Sequence, residues 1–233
     1  MMAITEALLA ALRAVDTPTI CNALELVVTP REKIRFTTKP FVATEPDAVL
    51  VGYARTCTIR AEADSSLSGA DKRKLRLAWY EHVATATPGP NIAVIQDLDS
   101  LPGTGAFWGE VNTAVHKGLG VLGCLTNGSI RDLGMVAKPF PLIAGVVNPS
   151  HAFVHVTGVG SEVSIHGMVV KDSDLIHADQ HGACVIPLAV AEKLPAAIDL
   201  GARREKVILD AARAPGFSFA QLKKALEGAD EIH

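Results

Sequence analysis

Three short apolar runs between residues 92 and 147 set the strongest limit on the fold. They are "IAVIQDL" (92–98), "VLGCLT" (121–126) and "FPLIAGVV" (140–147). A strand with no polar alternation is one covered on both faces. Between the first two runs lies "WGEVNTAVHKGLG" (108–120), which reads as a helix ending in a glycine-type cap. Between the last two lies "SIRDLGMVAK", read as a short helix. Upstream, "VLVGYARTCTIRAE" (49–62) is rich in β-branched residues and reads as a strand, and "SGADKRKLRLAWYEHVATA" (68–86) reads as a helix ended by "TPGPN". Strands and helices in this order predict an α/β core.

The flanks differ from this centre. "ITEALLAALRAV" reads as a first helix and "DTPTICNALELV" as a second, with Asp16 or Thr17 near the cap and Pro18 in the first turn. Residues 28–49 hold three prolines and little periodicity, so loop with short strands is expected there. After about residue 150, β-type segments alternate with Gly and Asp turns, which predicts several short, partly antiparallel strands. The last 45 residues are helical in character. No linker, repeat or low-complexity tract divides the 233 residues, so one domain is expected. A chain of this length, 48% hydrophobic, can bury a full core without disulfides.

Composition excludes several function classes. The formal net charge is −3 and the richest basic stretch is "DKRKLR" (71–76), better read as a solvated helix face. Neither nucleic-acid nor membrane-surface binding is expected. No apolar run reaches 18 residues, and the N-terminal stretch carries Glu6 without a basic leader, so no membrane span or signal peptide is expected. Cys21, Cys57, Cys124 and Cys184 lack CxxC spacing, and three sit in apolar segments. Reduced thiols in a cytoplasmic protein fit this pattern.

Three constellations carry possible chemistry. "GTGAFWGEVNTA" places glycines before a helix, where backbone N–H groups favour an anion. Neither a P-loop nor G-x-G-x-x-G spacing is present, so a small anion such as a carboxylate suits it better than a nucleotide. By spacing alone, the plainer reading is a turn that starts a helix. In "LTNGSIRDLG" (125–134), Asn127-Gly128 reads as a turn at the end of a buried strand, followed by Arg131-Asp132. An Arg fork suits a carboxylate, and an Asp suits a hard divalent cation. A helix-start Asp beside a solvent-facing Arg is the plain alternative. Both turns follow carboxyl ends of strands, where open α/β sheets bind ligands. Finally, strand alternation puts His151 and His155 on one face, and His177, Asp179 and His181 on another. A metal trio is conceivable, but satisfied or surface histidines are the plainer reading. No catalytic-triad signature appears.

"WGEVNTAVHKGLGVLGCLTNGSIRDLG" resembles the signature of the RraA-like family. That family includes class II 4-hydroxy-4-methyl-2-oxoglutarate (4-carboxy-4-hydroxy-2-oxoadipate) aldolases and the regulator of ribonuclease activity A. The matching parts are Gly109-Glu110, Asn127-Gly128 and Arg131-Asp132. "SDLIHADQHGACVIP" and "DTPTICNALE" resemble further family segments, and the resemblance spans roughly residues 14–190.

The resemblance implies a swivelling β/β/α domain, with central mixed sheets flanked by helices. The N-terminal helices (about 4–27) and C-terminal helices (about 188–229) would pack on the domain or on a neighbouring subunit. It implies a homotrimer or hexamer with sites near subunit boundaries. It implies a Mg²⁺ or Mn²⁺ enzyme acting on a small 2-oxo acid that yields pyruvate. Arg131 would hold the pyruvyl end and stabilise enolate charge, and Asp132 would ligate the metal. Glu110 would hold metal-bound water, and backbone N–H groups after Gly109, around Val111 and Asn112, would bind the substrate carboxylate. A non-catalytic protein-binding regulator on the same fold is the alternative the family implies.

This chain departs from the family pattern at four places. Asn127 replaces the usual Asp, Asn112 an apolar residue, Lys171-Asp172-Ser173-Asp174 a Pro-Gly-Asp turn, and Asn22 a frequent Asp. His151, His177 and His181 lie outside the core pattern, and any of them lining the site would alter the substrate.

Overall fold

Most of the longer helices begin where the sequence supplies an oxygen for the unpaired N–H groups of the first turn. The computed structural model describes residues 4–85 and 88–233. Helix α1 (Glu6–Arg13) is capped by Thr5, whose side chain accepts from the Leu8 N–H. Helix α2 (Thr17–Val27) is capped by Asp16 through the Thr19 N–H and carries proline in its first turn. A single 3₁₀ turn (Arg31–Lys33) and the short strand β1 (Val42–Ala43) lead to β2 (Leu50–Arg60). Helix α3 (Gly69–Ala84) is capped by Ser68. Each such cap contributes about 1 kcal/mol.

The chain continues through β3 (Asn91–Asp97), β4 (Ala106–Trp108), α4 (Glu110–Gly118), β5 (Val121–Ile130) and β6 (Leu142–Val147). Short strands follow: β7 (His155–Val159), the hairpin β8 (Val163–Ile165) and β9 (Met168–Val170), then β10 (Leu175–Asp179) and β11 (Gly182–Ile186). Helices α5 (Leu188–Ala191), α6 (Leu194–Arg213) and α7 (Phe219–Asp230) close the chain, the last capped by Ser218.

The main sheet runs β1-β6-β5-β3-β2-β10-β11. Its centre, β2, β3, β5 and β6, is parallel, while β1, β10 and β11 join antiparallel. Strand β7 adds antiparallel to the end of β2, and β4 adds parallel to the end of β5. The unbroken apolar runs follow from double coverage. On β3, Ala93 and Ile95 face the cluster that holds Trp79 and Val83 of α3 and Trp108 of β4. Ile92 and Val94 face the opposite way, into the cluster with Val163, Ile165 and Met168 of the β8–β9 hairpin. A third cluster joins α1, α2 and the start of α6 to β2, β10 and β11 through Leu12, Leu24, Tyr53, Cys184 and Leu194. Among the described residues, no helix is long and apolar enough to cross a membrane.

Three expectations need correction. Asn127-Gly128 is not a turn: both residues lie buried inside β5, at the register shift between Thr126 and Ser129 in its pairing with β6. The turn signal is absorbed by a bulge, and Thr126 Oγ1 accepts the Gly128 N–H at 2.9 Å. "SIRDLGMVAK" forms no helix. After Ile130 the Met135 and Val136 N–H groups both converge on the Asp132 carbonyl, and Pro139 follows too soon for a helix to offset its nucleation cost. The helix expected from Trp108 starts at Glu110, because Ala106–Trp108 pair with β5 as β4. The last residue of the helix expected over 68–86, and the first of "TPGPN", lie outside the described residues.

The two crossover helices are joined by a buried histidine. His116 donates from Nδ1 to the Asn112 carbonyl (2.7 Å), and its Nε2 accepts from Trp79 Nε1 (2.8 Å). Burial pushes its pKa down from 6.5 to about 4. The unfolded chain therefore binds the proton first as pH falls. The neutral imidazole's contribution is whole above about pH 6.5 and is lost as pH drops toward 4, a loss of roughly 3 kcal/mol. Urea midpoints measured across that window should fall, and His116→Gln should flatten the slope by a similar amount.

Candidate active site

Helix α4, like α5 and α6, starts without a side-chain cap. Its N-cap, Gly109, has no side chain to offer. The missing acceptor comes from the turn after the next strand: Asp132 Oδ2 accepts the Glu110 N–H at 3.2 Å. Strands β4 and β5 bring these groups together, with Trp108 opposite Ile130 and the Arg131 N–H bonded to the Trp108 carbonyl at 2.9 Å. Asp132 then adopts φ 57°, a left-handed conformation that Asp tolerates better than most residues. That reversal turns its carboxylate back toward α4.

Gly109 is required by this approach. A Cβ there would collide with Asp132 Oδ2 and press on Arg131 Cγ (3.2 Å) and Nε (3.3 Å). Arg131 and Asp132, read from the sequence as facing separate partners, also touch each other, with Nε 3.6 Å from Oδ2. Both side chains remain partly open to solvent, and Glu110 and Val111 are exposed. The structure thus gathers Gly109, the Glu110 backbone, Arg131 and Asp132 at the carboxyl ends of two parallel strands. The helix dipole and the guanidinium both favour an anion there.

Asn112 serves a different purpose from its neighbours. Its Nδ2 donates to the Phe107 carbonyl (2.6 Å), and its Oδ1 accepts from the Tyr80 hydroxyl (2.9 Å). An apolar residue could make neither bond. The side chain ties α4 to β4 and α3, so only the backbone N–H of Asn112 is left as a candidate ligand.

Asn127 bridges β5 to the end of β3. Its Oδ1 accepts the Asp97 N–H (2.8 Å) and its Nδ2 donates to the Asp97 carbonyl (3.0 Å). The Asp97 carboxylate in turn accepts from Gly103 (2.7 Å) and Asp99 (3.0 Å). Burial raises the Asp97 pKa above the ordinary carboxylate range. Asp99 caps the end of β2 by accepting the Ala61 and Glu62 N–H groups at 2.6 and 2.8 Å. These two aspartates organise the glycine-rich loop. The sequence reading passed over them, although "QDLDS" after an apolar strand was the available signal.

The histidines form no metal site. His177 is buried, with Nδ1 on Thr17 Oγ1 (2.9 Å) and Nε2 on the Leu12 carbonyl (3.0 Å). Burial lowers its pKa, so it is a neutral core residue. Asp179 accepts the Thr17 N–H at 2.8 Å, and His181 lies on its other oxygen at 3.2 Å. His151 and His155 bond to nearby carbonyls, those of Ala152 and Phe153. Among the described residues, no group of three or more His, Cys, Asp or Glu side chains could hold a metal ion.

Fold and site define an α/β protein with a carboxylate–guanidinium pair set against a helix N-terminus. A family model described as RraA-like, Aldolase/RraA, matches residues 17–185, and the chain belongs to the RraA-like family. It is 29% identical over 186 residues to a protein of Halalkalibacterium halodurans called "Putative 4-hydroxy-4-methyl-2-oxoglutarate aldolase", covering 78% of this chain and 77% of that one. Two solved structures share the fold. One is an uncharacterized protein from Pseudomonas syringae pv. tomato (TM-score 0.72, 19% identity, 97% of this chain and 96% of the other). The other is Streptomyces coelicolor RraAS2, described as an unusual member of the RNase ES inhibitor RraA family (TM-score 0.67, 21% identity, 92% and 100%).

Two substitutions test the geometry. Gly109→Ala should cost about 1–3 kcal/mol in a denaturant melt, because Asp132 must leave the α4 N-terminus. Asn127→Asp places a second buried carboxylate beside Asp97 and loses the donor to its carbonyl. Its raised folded-state pKa makes the cost appear above about pH 4 and grow as pH rises, to roughly 2–4 kcal/mol at neutrality. Stability curves at pH 4 and pH 7 separate this from a pH-independent packing defect.

Proposed function

We propose that this chain is a divalent-metal-dependent carbon–carbon lyase. It cleaves a small 2-oxo acid through a pyruvate enolate, in the manner of a 4-hydroxy-4-methyl-2-oxoglutarate aldolase, and decarboxylates oxaloacetate at the same site. The observation that carries this reading is the joint placement of Arg131 and Asp132 against the N-terminus of α4. A plain surface ion pair requires neither the left-handed turn at Asp132 nor the glycine beneath it.

The donor set fits one kind of ion. Asp132 offers a hard, partly exposed carboxylate, and no three-ligand cluster surrounds it among the described residues. Such a set does not suit zinc. It suits Mg²⁺ or Mn²⁺, which binds through one or two carboxylates and keeps several waters. Asp132 would hold the ion and Glu110 would orient its water. When bound, the ion supplies Lewis-acid stabilisation of charge developing on the substrate.

The chain's own groups do the rest. Arg131 presents fixed positive charge to the carboxylate and to the oxygen that becomes negative as the C–C bond breaks. The first-turn N–H groups of Val111 and Asn112, which no N-cap side chain accepts from, bind the substrate carboxylate. The exposed carboxylate of Glu110 moves protons at the site. Val111, Leu133 and Met135 are large apolar side chains left exposed beside these residues, and a second copy of the chain covers them in a homotrimer or hexamer.

Pyruvate release from oxaloacetate, followed with Mg²⁺ or Mn²⁺ and with a chelator, tests the reading. Asp132→Ala should abolish cation-dependent turnover while the protein stays folded. Arg131→Lys should lower kcat/KM by about 10²–10³-fold. Unchanged turnover in Asp132→Ala would sink the assignment. No turnover and no cation binding in the wild type would favour the non-catalytic regulator.

A further inference from the structure

Helix α2 sets one cysteine over another. The Thr17 side chain at the start of α2 reaches His177 Nδ1 on β10. Directly across the β10–β11 pair, the partner of His177 is Cys184. Cys21 lies four residues after Thr17, one helical turn further along the same face. Cys21 therefore lies over Cys184 at the seam between α2 and β11, both packed in the cluster that also holds Ile20 and Leu24. Each thiol is the largest influence on the other's ionisation. No other pairing recommends itself: Cys57 and Cys124 are buried in the cluster beneath α3 and α4.

The two thiols are unequal. Cys184 is fully buried, whereas Cys21 is partly open to solvent. The Cys184 thiol beside it lowers the Cys21 pKa against the opposing effect of burial. The same contact, with burial, raises the Cys184 pKa. A partly open thiol beside a fully buried one is the arrangement of an attacking and a resolving cysteine.

We infer that Cys21 and Cys184 form a peroxide-oxidisable dithiol that closes to an intramolecular disulfide between α2 and β11. The reaction needs a hydroperoxide, here hydrogen peroxide. The Cys21 thiolate attacks one peroxide oxygen and breaks the O–O bond, giving Cys21 sulfenic acid and hydroxide, which takes up a proton to leave as water. Cys184 sulfur then displaces the sulfenic oxygen, its proton leaves with that oxygen as a second water, and the S–S bond forms. Two thiols lose two electrons in all, and one peroxide is reduced to two waters. The bond ties the N-terminal helices to the sheet edge and should resist thermal unfolding. This modification is independent of any catalytic role for Arg131 and Asp132.

The experiment uses the full-length reduced protein, treated with hydrogen peroxide, quenched, denatured and alkylated. The expected result is loss of about 2 Da and protection of one cysteine pair, with a Cys21–Cys184 linked peptide that dithiothreitol releases. The oxidised form should melt several degrees higher than the reduced form. Cys21→Ser should leave Cys184 fully alkylatable after peroxide. Cys184→Ser should accumulate Cys21 sulfenic acid, trapped by dimedone. The inference is overturned if wild-type Cys21 stays alkylatable, if it advances to sulfinic acid while Cys184 remains a thiol, or if it links to another molecule.

Discussion

The contact between the Glu110 N–H and Asp132 does two things with one carboxylate. It supplies the acceptor that α4 lacks, and it fixes the conformation of the turn after β5. Everything around it is arranged to allow this. Gly109 has no Cβ, so the turn approaches the helix closely. Trp108 accepts the Arg131 N–H, so β4 and β5 end side by side. Asp132 takes a left-handed conformation that sends its carboxylate back to the helix. A helix start without its own cap is thereby joined to a strand end with a charge pair, and the candidate site lies in that joint.

Behind this joint is a layer of backbone-directed side chains. Asn127 pairs both its amide atoms with Asp97, Asp97 holds Gly103, and Asp99 holds Ala61 and Glu62. Each bond alone contributes about 1 kcal/mol, but each buried group left unpaired would cost more. The loops at this end of the sheet are therefore fixed by strand-end carboxamides and carboxylates. On the other side of α4, Asn112 and His116 extend the same principle to α3 through Tyr80 and Trp79.

Periodicity made the architecture legible. Apolar runs of four to eight residues between helical stretches can be satisfied only by strands covered on both faces, and the clusters above and below β3 are that coverage. The positions of Arg131, Asp132 and Gly109 at a strand end and before a helix were legible too, although spacing alone favoured a plain helix-starting turn at Gly109. The bulge at Asn127-Gly128 was not. An Asn-Gly pair has the same local preference in a turn and in a bulge, and only pairing with β6 and Asp97 decides between them. For the histidines the plainer reading held: His177, a conceivable ligand in sequence, is a neutral hydrogen-bonding core residue.

The sequence by itself determined most of the strands and helices and that the central strands are buried on both faces, but not where β5 ends or that residues 131–138 form no helix. What it determined follows from local spacing, and spacing is written in the chain. Only the tertiary structure decided that Asp132 caps α4, that Asn112 serves Phe107 and Tyr80, and that Cys21 lies over Cys184. Each of these contacts joins residues 5 to 163 positions apart. Their geometry is set by how strands register and helices seat, which no local pattern encodes.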